Sequence, residues 1–88
     1  MRTIWKYQLE VTGAQLIRIP EGERLLCVQM QGATPCLWVE VYPDANPVPR
    51  LVTMFGTGHQ HEDTAFQDST YVGTVQVQHN LVFHVYIR

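Results

Sequence analysis

Outside residues 56–70, the chain alternates. Apolar and polar residues exchange places at every second position in short runs, and no window carries the spacing of an amphipathic helix. In residues 3–11, Trp5, Tyr7, Leu9 and Val11 fall on one face while Lys6, Gln8 and Glu10 fall on the other. Similar runs cover 15–19, 25–31, 35–42, 50–55, 71–77 and 81–87. Thr12-Gly13, Pro20-Glu21-Gly22, Gly32-Ala33-Thr34 and a proline-spaced link from Pro43 to Pro49 separate the earlier ones. Such patterning with Gly and Pro punctuation predicts an all-β fold, a small antiparallel β-sandwich or barrel of about seven short strands. At 88 residues the chain makes a single β domain.

Matching like faces sets the register of two hairpins. A two-residue turn at Gly32-Ala33 puts Val28 opposite Leu37, Leu26 opposite Val39, Cys27 opposite Trp38 and Cys36 opposite Gln29. The two cysteines then do not face each other, and they read as free thiols. For the last hairpin, a three-residue loop, Gln78-His79-Asn80, sets Val75 against Phe83, Gly73 against Val85 and Tyr71 against Ile87. Asn80 takes the left-handed position of that loop. His84 falls opposite Thr74 on the outer face, beside Gln76 and Tyr86.

Composition narrows the function classes. A chain of this size buries only roughly 60–65% of its unfolded surface. A thin core beside a surface with few charges favours a homo-oligomer that protects its strand edges. The net charge is −2 and the basic residues (Arg2, Lys6, Arg18, Arg24, Arg50, Arg88) form no run. This argues against non-specific nucleic-acid binding. Arginines gathered from several strands or subunits would still suit a small nucleotide. No apolar stretch approaches the ~18 residues of a membrane span. With two cysteines and no secretory pattern at Met1-Arg2, a cytoplasmic setting is expected.

The candidate site lies around Gly56–Thr70. Amides around Gly56, Thr57 and Gly58 can form a nest for an anion, although a turn ending the preceding strand is the stronger expectation. His59 and His61, with Glu62 and Asp63, have donor types that suit a metal, but a solvated polar loop is favoured, so no metal or cofactor is expected. Cys27 and Cys36 lack an adjacent base, and Ser69 sits in a turn-like context, so no catalytic residue is assigned. Trp38 and Tyr42 accompany Glu40, and Tyr86 accompanies His84 and Arg88, as on a partner-binding or base-stacking surface. The expected contact residues are Trp38, Gly56, Thr57, Gly58, His59, His61, His84 and Tyr86.

The segments Arg2-Thr3-Ile4-Trp5-Lys6-Tyr7, Pro35-Cys36-Leu37-Trp38, Phe55-Gly56-Thr57-Gly58-His59, Tyr71-Val72-Gly73-Thr74-Val75-Gln76 and Leu81-Val82-Phe83-His84-Val85 span nearly the whole chain. Together they resemble a family of short phage- and prophage-encoded proteins with a domain of unknown function. The resemblance implies a phage origin and the cytoplasm of an infected bacterium, and it transfers no catalytic residue. By analogy with small phage proteins, a non-enzymatic binding protein that inhibits a host factor is expected, as in counter-defence. It would act by direct protein binding or, as an oligomer, by sequestering a nucleotide signal. The alternatives are a metal-dependent hydrolase using His59, His61 and Asp63, and a virion or assembly accessory protein.

Overall fold

The computed structural model describes residues 1–88. Seven strands form: β1 (Thr3–Gln8), β2 (Ala14–Pro20), β3 (Arg24–Gln31), β4 (Thr34–Val41), β5 (Pro47–Gly56), β6 (Thr70–Val77) and β7 (Leu81–Ile87). They build two antiparallel sheets, sheet A in the order β1-β4-β3 and sheet B in the order β2-β5-β7-β6. The all-β expectation holds, as a small sandwich. One single-turn 3-10 segment, Asp63–Phe66, is the only helical piece, Gln78–Asn80 being a tight turn with left-handed residues, and no helix is long and apolar enough to cross a membrane.

Strand alternation builds the core directly. Leu37, Val39 and Val41 of β4 pack with Val52 and Met54 of β5 and Val85 and Ile87 of β7, joined by Leu9, Ile19, Val28 and Val75. Only 15 of 88 residues are buried, so the core is as thin as the chain length demands. No polar or charged residue is buried as a whole. At the rim Arg50 pairs with Glu23, and its Nε also donates to the Arg88 carbonyl at 2.9 Å.

The sheets come closest where β3 meets β6. A Cβ on Gly73 would lie 2.7 Å from Val28 Cγ1 and 3.1 Å from the Val28 carbonyl oxygen, so only glycine fits this seam. Its φ of 153° reinforces that requirement. On the opposite side, β1 and β2 are the free edges of their sheets.

Both hairpin registers hold near their turns and shift at a bulge. In the first, Val28↔Leu37, Cys27↔Trp38 and Gln29↔Cys36 pair as expected, and both cysteines are free. Leu25 rather than Leu26 then opposes Val39, and Leu26 is squeezed out, 40% exposed. In the second, Val75↔Phe83 and Gly73↔Val85 pair as expected, but Tyr71 opposes Tyr86 and Thr70 takes the place opposite Ile87. The extra residues, Leu26 and Val72, lie within two positions of Val28 and Gly73, where the sheets meet, and a bulge bends its strand there. Asn80 is left-handed (φ 60°), and His79 (φ 64°) is as well.

Two boundaries differ for identifiable reasons. β1 stops at Gln8 because the chain turns away beyond it. There the Gln15 side chain takes over the Glu10 backbone, accepting from its N–H at 3.1 Å and donating to its carbonyl at 2.8 Å. β5 begins at Pro47, inside the expected link, because prolines are harmless at that end. The bonds Met54 N–H to Gly13 O and Glu21 N–H to Asn46 O set the ladder phase, which turns the nitrogens of Pro47 and Pro49 away from β2. β7 pairing reaches back only to Leu51, so no bond is lost.

Candidate functional site

The outer face of sheet B is roofed by its own chain. Phe55, on β5, points outward yet is only 4% exposed. Phe66 stacks on it at 4.3 Å, His61 meets it edge-on at 4.8 Å, and Tyr86 meets it edge-on at 5.4 Å. Tyr71 adds an edge contact to Tyr86 at 5.6 Å. The chain between Gly56 and Thr70 is therefore a folded cover. Its single 3-10 turn brings Phe66 down, and Arg88 Nη2 donates to the Gln67 carbonyl at 2.9 Å. Asp68, in the left-handed conformation at φ 57°, turns the chain back into β6.

Beside this aromatic group runs a line of side-chain hydrogen bonds. Tyr71 OH meets Thr74 Oγ1 at 2.6 Å, Thr74 Oγ1 meets His84 Nδ1 at 2.9 Å, and His84 Nε2 meets Thr57 Oγ1 at 2.7 Å. Hydroxyls can donate and accept, so either neutral tautomer of His84 keeps both ring nitrogens partnered. The expected pairing of His84 with Thr74 across β6 and β7 positions this line. Thr57 reaches it because its own N–H is fixed to the Val82 carbonyl at 3.2 Å.

The glycines serve the turn. His59 N–H donates to the Gly56 carbonyl at 3.1 Å, and Gly58 takes φ 84°, which a residue with a Cβ rarely adopts. The His59 ring folds onto Gly56, where an added Cβ would sit 2.7 Å from it. Of the amides considered for an anion nest, that of Thr57 already donates to the Val82 carbonyl and that of Gly58 makes no bond within the protein; the next amide, of His59, closes the turn. The hollow lined by Gly56, Thr57, His59 and Asn80 to Phe83 holds about 200 Å³, below the range that encloses a drug-sized ligand. A larger open hollow of about 630 Å³ is lined by Gln60, His61, Glu62 and Asp63.

His59 lies against Gly56 and His61 against Phe55, and no three His, Cys, Asp or Glu side chains converge on a point. Trp38 stands apart from the other expected contact residues. Its neighbours Leu37 and Val39 enter the core, so Trp38 faces outward from sheet A, opposite Lys6 on β1 and Cys27 on β3. His84 and Tyr86 face outward from sheet B between core residues Val85 and Ile87. The site thus gathers Thr57, His61, His84 and Tyr86 on the outer face of sheet B, sets the His59 ring over Gly56 on the core side of that sheet's end, and leaves Trp38 on sheet A. Sequence reasoning passed over Phe55, Phe66 and Tyr71. The detectable signal was an aromatic inside an otherwise polar segment, Phe66 between Ala65 and Gln67.

The whole chain, residues 1–88, matches the family model described as a domain of unknown function, DUF7352. The chain belongs to this family. Neither a curated protein nor a solved structure matches it. Family membership therefore assigns no chemistry to the face just described, and the residues themselves carry the functional reading.

Proposed function

We propose that this DUF7352 member is a phage- or prophage-encoded, non-enzymatic binding protein. It inhibits a host factor by direct protein contact through the roofed face of sheet B. One observation carries this reading: an aromatic group half-exposed at Phe66 and Tyr71 is edged by His61, which also lines the open hollow with Gln60, Glu62 and Asp63. Interfaces use rigid aromatics as anchors because they bring large contact area at little entropic cost. Roofing by the 56–70 segment has already met part of the cost of ordering that surface.

Charge and volume favour a protein over a nucleotide. The larger hollow is lined by two acids, which repel phosphate, and in the smaller one the Thr57 and His59 amides already donate internally. The phage assignment is supported by the five ordered motifs noted above. Two measurements test the reading. Tagged protein should retain one bacterial protein in stoichiometric amount, and a panel of linear and cyclic nucleotides should leave its Tm unchanged. A Tm that climbs with the logarithm of nucleotide excess would instead establish nucleotide capture.

A further inference from the structure

We propose that the free edge of β1 is a dimer interface. Two copies join sheet A to sheet A by antiparallel β1–β1 pairing, with Trp5 facing Trp5 across the two-fold axis. This stands apart from the partner-binding reading, which concerns the other sheet.

The backbone sets the geometry. Leu9 N–H donates to the Pro35 carbonyl at 2.9 Å, in phase with the Thr3↔Val41 register. Hydrogen bonding alternates along an antiparallel strand, so Thr3, Trp5 and Tyr7 bond to β4 while Ile4, Lys6 and Gln8 aim their N–H and C=O groups at the free edge. That edge has neither proline nor bulge, and it exposes Ile4 (56%) on one face and Trp5 (39%) on the other. Natural edge strands ordinarily carry devices against pairing. The other free edge, β2, carries two: Pro20 at its end, and Arg18, whose guanidinium is tied to the Pro47 carbonyl. On β1 the single charge, Lys6, is drawn aside onto Gln31 at 2.7 Å.

Charge then selects the register. Two symmetric pairings match the free-edge groups and overlap most of the strand. One sets Lys6 directly opposite Lys6, which is repulsive. The other sets Ile4 opposite Lys6 and Arg2 opposite Gln8. It centres Trp5 on Trp5 at a non-hydrogen-bonded site, where cross-strand side chains approach closest and aromatic pairs stabilise. The interface is self-complementary and closes on itself, so it yields a dimer and no fibre.

The test is a native mass measurement with oxidative cross-linking of the full chain. Wild type should show twice the 10.1 kDa chain mass at micromolar concentration. Lys6→Pro removes an N–H that faces only the free edge, so it should give a folded monomer. In a Cys27→Ser background, Trp5→Cys should form a covalent dimer on oxidation, while Ile4→Cys and Tyr7→Cys should not. The cross-link decides the question even if Lys6→Pro does not fold. A monomeric wild type would overturn the proposal. So would a dimer that survives Lys6→Pro but is lost in Leu16→Lys on β2, or cross-linking strongest at position 4 or 7.

Discussion

The outer faces of the two sheets are built by the same alternation and have opposite fates. Sheet A turns Lys6, Gln8, Arg24, Gln29 and Gln31 outward around a half-buried Trp38, and water suits most of them. Sheet B turns Phe55 and Tyr86 outward, and the chain spends residues 57–69 covering them. Two tyrosines differ as well, Tyr71 on the outer face of sheet B and Tyr7 turned toward the core from sheet A. Tyr71 OH on sheet B begins a complete hydrogen-bonded line, while Tyr7 OH on β1 is buried with no partner. Outward apolar residues thus call for a roof, and the roof ends in the exposed aromatics and acids to which the proposed binding is assigned.

The largest expected effect comes from removing the roof's support. Phe55→Ala deletes a buried ring contacted by Phe66, His61 and Tyr86, and should cost about 3–5 kcal/mol in urea unfolding. Trp38→Ala on the uncovered face should cost clearly less, and equal losses would erase the distinction between the faces. Phe66→Ala should cost only about 1–2 kcal/mol, because that ring is partly exposed. It should nonetheless release the 57–69 segment to limited proteolysis while the strands keep their circular dichroism.

The tyrosines sharpen the comparison with opposite signs. Tyr7→Phe removes a buried, unpartnered hydroxyl and should raise stability by about 1 kcal/mol, whereas Tyr71→Phe should lower it by about 0.5–1 kcal/mol. Burial also pushes the Tyr7 phenol above its ordinary value of 10.0. The unfolded chain therefore releases that proton first as pH rises. The stability contributed by the protonated phenol is complete below about pH 10 and is lost as pH climbs through the raised folded value. Denaturation midpoints in this alkaline window should fall less steeply for Tyr7→Phe than for wild type.

Much of this architecture was legible because each inward residue repeats the same instruction. Leu37, Val39 and Val41 could only face a core, and Asn80 marked the tight loop between β6 and β7. The bulges were hidden, because Leu25-Leu26-Cys27 and Tyr71-Val72-Gly73 offer several residues that can be squeezed out. The choice is made by the meeting of β3 and β6, which are distant in sequence. Gly73 gave no sign of its reason, since Val28 is what excludes a side chain there. In the candidate site, the register of His84 could be read from its hairpin. The roof could not, because Phe66 stacking on Phe55 depends on a folded loop without periodicity.

The most direct test is affinity capture from a bacterial lysate, quantified by mass spectrometry for wild type and two variants. One variant carries Tyr71→Ala with Glu62→Lys on the roofed face, and the other carries Trp38→Ala on sheet A. Anchors of this kind contribute about 2 kcal/mol or more, so the first variant should hold its partner roughly 30-fold more weakly while the second matches wild type. Capture unaffected by the first variant, or abolished by Trp38→Ala alone, would contradict the assignment of binding to sheet B.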